Sequence, residues 1–130
     1  MLVDTDVVVW SLRGLPRAER RLQSLDGFAL SAISYMELVQ GMRDARELAA
    51  LRRALRFWSA DVVAVSPEIS SRGMFLLEQH ALGDGLRLAD ALIAATAMVQ
   101  GDTLLTANRK HYAPLRGLAV EVFQPAALSV

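Results

Sequence analysis

Short apolar runs alternate with helix-forming segments along the whole chain, and this alternation limits the fold more than any other feature. The runs predict strands at residues 2–3, 28–30, 62–65, 102–106 and 119–123. Short strands that are apolar on both faces and separated by helices are typical of parallel sheets covered on both sides. The sequence therefore predicts an α/β fold with three layers, α/β/α, and a central, mostly parallel sheet of four to five strands.

Capping and turn residues predict helices in the intervals between the strands. The predicted helices cover residues 7–12, 17–25, 34–42, 45–58, 67–82 and 88–99. Asp6 and Ser34 are the predicted N-caps of the first and third helices, and Gly14 closes the first. No linker or internal repeat interrupts the pattern, and 130 residues suit one domain. We therefore expect a single domain over residues 1–130.

Composition excludes several kinds of site. The chain has no cysteine and only two histidines, His80 and His111, which excludes disulfides, thiol chemistry and His-rich metal centres. Fourteen basic residues balance fourteen acidic residues, so total charge does not steer the chain toward nucleic acid or a membrane. The start of the chain lacks a signal-peptide pattern, and the apolar stretch at residues 91–99 is too short to span a bilayer. We expect a cytoplasmic protein that does not bind membranes.

Four polar side chains stand among apolar neighbours at predicted strand ends or helix starts: Asp4, Glu37, Asp90 and Asn108. In open parallel sheets, ligands bind outside the carboxyl ends of the strands, so these side chains can meet in one cleft. Clustered, buried carboxylates repel one another unless a cation neutralises them. Mg²⁺ or Mn²⁺ suits a small set of oxygen ligands and promotes attack of water on phosphodiesters. The pattern indicates a metal-assisted phosphodiester hydrolase.

Each of these residues also has a local structural interpretation. Asp4 can form a turn with its own backbone, and Glu37 can complete a capping box with Ser34. Asp90 lies in the first turn of its predicted helix, where the macrodipole favours a carboxylate. Asn108 can cap a turn or a helix. Taken singly, these local roles are the commoner outcome, whereas the four residues together favour a shared site.

Four segments, taken in order, give the chain a family resemblance. They are Val-Asp-Thr at 3–5, Ser-Tyr-Met-Glu-Leu at 34–38, Asp-Ala-Leu-Ile-Ala-Ala at 90–95 and Leu-Thr-Ala-Asn at 105–108. In this order they resemble the PIN-domain ribonucleases, and most of all their VapC-type toxins, over nearly the whole chain. The resemblance implies a Mg²⁺-dependent endoribonuclease, the toxin of a type II toxin–antitoxin system. It also implies a homodimer and a cognate small antitoxin protein that neutralises the toxin.

The resemblance also assigns roles to single residues. Asp4, Glu37 and Asp90 match the metal-binding acids of the family, and Thr5 matches a small hydroxyl residue expected to orient Asp4 or a water. Asn108 stands where many members have a fourth acid, and its amide oxygen carries no charge. We therefore expect one tightly bound ion, with a second ion that depends on the substrate.

Neighbouring residues supply the remaining candidates. Thr106, Arg109 and Lys110 adjoin the expected cleft and are candidates for holding RNA phosphate. His111 can assist a leaving group, although an isolated loop histidine is more often exposed and without a role. Asp6 can replace the missing acidic charge, although its capping role is favoured.

Two alternatives to a ribonuclease stay open. A PIN-like fold without the fourth acid can bind RNA or a protein with little or no cleavage. Residues 4–6, Asp-Thr-Asp, also resemble the start of haloacid-dehalogenase-like phosphohydrolases, in which Asp4 would be a nucleophile and Asp6 an acid–base. That chemistry needs a lysine and a later acidic pair, and the only lysine here is Lys110, while Asp102 has no acidic neighbour.

Overall fold

The computed structural model describes residues 1–126, in which five strands form one sheet. The strands are β1 (Leu2–Val3), β2 (Phe28–Ser31), β3 (Ala60–Val63), β4 (Leu104–Thr106) and β5 (Val120–Val122). Every neighbouring pair is parallel, and the spatial order is β3-β2-β1-β4-β5. The predicted mostly parallel sheet of four to five strands is confirmed, with five strands that are all parallel. The C-terminal ends of all five strands therefore lie at one edge.

Helices within residues 1–126 cover both faces of the sheet. They are α1 (Thr5–Leu12), α2 (Pro16–Ser24), α3 (Ala32–Gln40), α4 (Ala45–Phe57), α5 (Pro67–Asp84), α6 (Leu88–Gln100) and α7 (Arg109–Tyr112). Successive strand residues point to opposite faces, so Val3 packs in an apolar cluster with α1, α2 and α4, and Leu2 packs in a second cluster with α5 and α6. This arrangement confirms the predicted three layers. No helix in the described part of the chain has the length and apolar character to cross a membrane.

Two predicted N-caps are wrong, for the same physical reason. Asp4, and not Asp6, caps α1 by accepting a hydrogen bond from the Thr5 backbone N–H. Ser31, and not Ser34, caps α3, and its hydroxyl accepts a hydrogen bond from the Ile33 N–H at 3.1 Å. In both places the strand passes into the helix without an intervening loop, so the cap lies at the strand end. The side chains of Asp6 and Glu37 therefore have no capping role and can make other contacts.

Some element boundaries also differ from the prediction. β3 covers residues 60–63 rather than 62–65, because its register with β2 pairs Phe28 with Ala60 and Ser31 with Val63. α5 extends to Asp84 and ends at Gly85, whose φ of 69° is in the left-handed region that favours glycine. Residues 109–112, expected as part of a loop, form the short helix α7.

The close packing of α5 against α6 sets the position of the first turn of α6. A Cβ atom at Gly73 of α5 would lie only 2.8 Å from Cδ2 of Leu92, so glycine allows the two helices to approach there. α6 also carries small buried residues, including Ala91, Ala94 and Ala95. This packing fixes the helix that carries Asp90.

Candidate active site

Asp4 follows β1 directly and is the most constrained acid at the C-terminal edge of the sheet. Its Oδ1 accepts a hydrogen bond from the Thr5 N–H at 2.8 Å, and its Oδ2 accepts bonds from the hydroxyls of Thr106 at 2.8 Å and Tyr112 at 3.0 Å. The side chain is buried. Burial raises the pKa of Asp4 above its usual value, although the hydrogen bonds from Thr106, Thr5 and Tyr112 oppose that shift. The carboxylate is thus held in one orientation in a poorly solvated place.

Asp6 lies in the first turn of α1 and joins the same region. Its Oδ2 accepts a hydrogen bond from the Ala107 N–H at 3.1 Å and lies 3.5 Å from the Thr106 hydroxyl. Its Oδ1 is buried and has no hydrogen-bond donor among the described residues. Burial, with the negative charge of Asp4 as the second cause, raises the pKa of Asp6 to about 6. Asp6 is therefore a member of the acidic group, and the helix-cap interpretation favoured by the sequence is wrong.

Tyr112 connects Asp4 with Asp90. Its hydroxyl donates to Asp4 and lies 3.5 Å from Oδ1 of Asp90, which stands in the first turn of α6. Burial, followed by the charges of Asp4 and Asp90, raises the pKa of Tyr112 far above its usual value, so the phenol keeps its proton. Asp4 and Asp90 thus converge on one hydroxyl group, as the predicted shared site requires.

Glu37 contacts the site through Thr5. The Thr5 hydroxyl donates a hydrogen bond of 2.8 Å to Oε1 of Glu37. The proposed capping box with Ser34 is wrong, because Ser31 caps α3 and the Ser34 hydroxyl is buried without a hydrogen-bond partner in the described residues. Thr5 therefore connects Asp4 with Glu37, through its backbone N–H to the first and its hydroxyl to the second.

Asn108 and His111 form the outer side of this group. The Asn108 N–H donates to the Thr106 hydroxyl at 3.0 Å, while its side-chain Nδ2 lies 3.1 Å from Nε2 of His111. His111 Nδ1 lies 3.5 Å from Oδ2 of Asp90. The Asn108 side chain thus contacts His111, and within residues 1–126 it forms no hydrogen bond with an acid. His111 is exposed, as expected for a loop histidine, but it lies beside the acidic group and is not isolated from it.

The two basic candidates next to Asn108 lie on the outside of α7. Arg109 and Lys110 are exposed, and their side chains form no hydrogen bond or ion pair within the described residues. They are therefore available to a ligand that approaches this edge, but they do not contact the acids. Thr106, the third candidate for phosphate binding, instead uses its buried hydroxyl to hold Asp4.

Sequence reasoning missed Tyr112 as a site residue. The available signal was its position six residues after Thr106, close enough for a short helix to return its side chain to the strand end. Nothing in the sequence distinguished its buried hydroxyl from that of a tyrosine in the apolar core, because the bond to Asp4 depends on the turn of α7.

The donor set fits a hydrated divalent cation better than a tightly enclosed one. No three Asp, Glu or His side chains in residues 1–126 approach closely enough to surround an ion by themselves. Mg²⁺ usually keeps several waters and binds one or two carboxylates together with substrate phosphate. The buried, unpartnered Oδ1 of Asp6 and the raised pKa of Asp4 both indicate negative charge that a cation would stabilise. The residues present thus fit Mg²⁺ or Mn²⁺.

Comparisons with known proteins agree with the fold. A family model described as PIN domain matches residues 1–114. Ribonuclease VapC19 of Mycobacterium tuberculosis is 38% identical over 117 residues, covering 85% of this chain and 90% of that protein. Ribonuclease VapC10 of the same organism is 36% identical over 117 residues, covering 86% and 85%.

A solved structure agrees with these sequence matches. A toxin–antitoxin complex from Klebsiella pneumoniae contains a chain that superposes with a TM-score of 0.77 at 27% identity, with 98% of each chain covered. The family match, the two sequence relatives and this structural neighbour all span most of the chain. The chain therefore belongs to the PIN domain family and is a VapC-type member of it.

Proposed function

We propose that this protein is an endoribonuclease, the toxin of a type II toxin–antitoxin pair, which hydrolyses RNA phosphodiester bonds with Mg²⁺. The observation that carries the proposal is the convergence of Asp4 and Asp90 on the Tyr112 hydroxyl at the C-terminal edge of the sheet. The names of the two mycobacterial relatives, both ribonucleases, support the same activity.

Asp4 and Asp90 are the residues proposed to hold Mg²⁺, with Glu37 acting through Thr5 or a water. Asp6 adds negative charge beside Asp4 and so replaces the fourth acid that many family members have at the position of Asn108. When bound, Mg²⁺ supplies neutralising charge, polarises a phosphoryl oxygen and makes water a better nucleophile. Mn²⁺ has the same ligand preference and is expected to substitute.

The other side chains orient the acids and receive the substrate. The Thr106 and Tyr112 hydroxyls fix Asp4, so the carboxylate does not reorganise when substrate arrives. The exposed cations Arg109 and Lys110 attract RNA phosphate toward this edge. His111 contacts the Asn108 side chain through Nε2 and lies near Asp90 through Nδ1, so it links these two residues.

An antitoxin and a second copy of this chain are the proposed protein partners. The Klebsiella neighbour is part of a toxin–antitoxin complex, and this chain has large exposed apolar side chains. Phe57 is 71% exposed and lines a mainly apolar depression between α1, α2 and α4, together with Leu12 and Trp58. Such an apolar groove suits an amphipathic helix of an antitoxin. Leu82 and Leu88, exposed at 100% and 66%, are candidates for the contact between copies.

Cleavage of labelled single-stranded RNA tests the proposed activity. The parent protein is expected to cleave in Mg²⁺ or Mn²⁺, to stop when EDTA is added, and to resume when excess Mg²⁺ is restored. Asp4→Asn is expected to remove cleavage, whereas Asp61→Asn, an exposed acid on β3, retains it. Cleavage that persists in EDTA or in Asp4→Asn would contradict the proposal.

A binding module that does not cleave RNA is the second candidate. The uncharged Asn108 and the absence of three converging acids or histidines within residues 1–126 favour this alternative. It predicts that the parent protein binds the same RNA without producing fragments at any Mg²⁺ or Mn²⁺ concentration. The cleavage assay therefore decides between the two candidates.

A further inference from the structure

A basic depression lies beside the acidic edge, in a region that the proposed site does not use. This depression, here called the arginine pocket, has a volume of about 470 Å³. It is lined by Arg17, Arg20, Arg21, Val122, Phe123 and Gln124. We propose that the arginine pocket binds the sugar–phosphate backbone of the RNA strand that flanks the cleaved bond. This inference rests on the proposed ribonuclease function and extends it to a second contact with the substrate.

The arginine pocket is one strand away from the acids. Val122 of β5 pairs with Thr106 of β4 in the sheet register, and the Phe123 N–H donates to the Thr106 carbonyl at 2.8 Å. The hydroxyl of the same Thr106 holds Asp4. An RNA strand with one phosphate at the acids therefore reaches the pocket by passing over the end of β5.

Two of the three guanidinium groups keep their positive charge free of an acidic partner. Arg17 donates through Nε to the Gln124 carbonyl at 3.1 Å, a neutral acceptor. Arg20 forms no side-chain hydrogen bond or ion pair within residues 1–126. Arg21 pairs with Glu121, but both side chains are partly exposed, and surface pairs of this kind are weak because water screens them. A phosphate group can therefore compete with Glu121 for Arg21.

The clustered positive charge of the arginine pocket suits phosphate groups. Arg17 lies three and four residues before Arg20 and Arg21, so all three are neighbours on one face of α2. Guanidinium groups bind phosphate through paired hydrogen bonds. Arg20 and Arg21 lie one turn after Arg17, so the three guanidinium groups form a cluster on this face. The half-exposed Val122 offers an apolar contact to a ribose.

An acidic protein segment is the competing occupant. Its carboxylates also suit guanidinium groups, but it gives no reason for the pocket to adjoin residues that hold Asp4. RNA explains both features, because a strand bound at a hydrolytic site must continue past its edge. The clustered positive charge and its position beside the residues that hold Asp4 together favour RNA.

Binding of a fluorescein-labelled oligouridylate in EDTA tests this inference, because RNA then binds without being cleaved. The variant Arg17→Gln/Arg20→Gln is compared with Arg52→Gln/Arg56→Gln, which removes the same charge from exposed positions on α4. Each lost phosphate contact lowers the salt dependence, the slope of log affinity against log salt, by about 0.7. The pocket variant is expected to lose about 1.4 of this slope and to bind more weakly at low salt. The α4 variant is expected to keep the parent slope.

Several results would overturn the inference. One is an unchanged slope in the pocket variant, and another is an equal loss of slope in the α4 variant. A third is a pocket variant that keeps parent-like RNA binding but loses binding of fluorescein-labelled oligoglutamate, measured in the same way. If the parent cleaves RNA and the pocket variant binds it like the parent, only the arginine pocket is wrong. If the parent neither binds nor cleaves RNA, the proposed function itself fails. If Arg17→Gln lowers the Tm, the single variant Arg20→Gln replaces the double variant, because the Arg20 side chain forms no hydrogen bond within residues 1–126. This single variant is expected to reduce the slope by about 0.7.

Discussion

The Tyr112 hydroxyl donates a hydrogen bond of 3.0 Å to Oδ2 of Asp4 and lies 3.5 Å from Oδ1 of Asp90. One buried phenol from α7 thus joins an acid at the end of β1 to an acid in the first turn of α6. Because only two residues separate α7 from β4, the position of α7 depends on the central strands of the sheet. The geometry of the two acids is therefore tied to the fold and not to a flexible loop.

Replacing Tyr112 by phenylalanine is expected to impair the site while preserving the fold. Asp4 keeps its bonds from Thr5 and Thr106 but loses one donor, which is expected to cost about 1 kcal/mol of unfolding free energy. Loss of an orienting partner of this kind lowers metal affinity or activity by about tenfold. Calorimetric titration with Mn²⁺ measures the affinity, and urea unfolding measures the stability.

Tyr35→Phe is the matched control for this prediction. Tyr35 lies partly buried on α3, and its hydroxyl forms no hydrogen bond within the described residues. The Tyr35→Phe variant is expected to match the parent in Mn²⁺ affinity and in unfolding free energy. If Tyr112→Phe binds Mn²⁺ as tightly as Tyr35→Phe does, the orienting role of the Tyr112 hydroxyl is wrong.

Protonation of Asp6 is expected to stabilise the metal-free protein as the pH falls toward 4. Its pKa is about 6 in the folded protein against 3.8 for an ordinary aspartate, so the folded state binds the proton more tightly. The resulting stabilisation is complete below pH 3.8 and is lost as the pH rises through about 6. Allowing for partial solvent exposure, its size is on the order of 1–2 kcal/mol.

Urea unfolding in EDTA between pH 4.5 and 7.5 measures this dependence. Asp6→Asn is expected to be more stable than the parent at pH 7.5 and to have a flatter pH profile. Some slope should remain, because burial also raises the pKa of Asp4. An Asp6→Asn profile parallel to that of the parent would show that Asp6 does not titrate as described.

Glu37→Gln is expected to separate a metal-related role from a structural one. Glutamine keeps the oxygen that accepts the hydrogen bond from Thr5, so the unfolding free energy of the metal-free protein should change by less than about 0.5 kcal/mol. Loss of the negative charge should weaken Mn²⁺ binding by about tenfold. Calorimetry and thermal unfolding of the same samples supply both values. Reduced stability with unchanged Mn²⁺ affinity would assign Glu37 a purely structural role.

The sequence predicts the sheet well because the signals that indicate each strand are local. Each strand is a short apolar run between turn or capping residues, and alternation with helices implies parallel pairing. Asp4 and Asp90 could be found for a related reason, since a strand end and the first turn of a helix are visible in the sequence. The parallel arrangement then brings such positions to one edge.

The remaining details depend on tertiary contacts that local patterns do not contain. The sequence around Asp6 is typical of a helix cap. In the structure, α1 begins after Asp4, and Asp6 instead accepts a hydrogen bond from the Ala107 N–H. Ser34 fails as a cap in the same way, because β2 continues to Ser31. Tyr112 and His111 reach the acids only because residues 109–112 form a helical turn.

A double-mutant cycle on RNA cleavage tests the joint action of Asp4 and Asp90 most directly. The rates of the parent, Asp4→Asn, Asp90→Asn and the double variant are compared in saturating Mg²⁺, with folding checked for each protein. Residues that act as a unit give non-additive losses. We predict that each single variant loses about 100-fold or more and that the double variant is no slower than the worse single variant. Parent-like cleavage by either single variant, or losses that multiply in the double variant, would contradict a single site built on both acids.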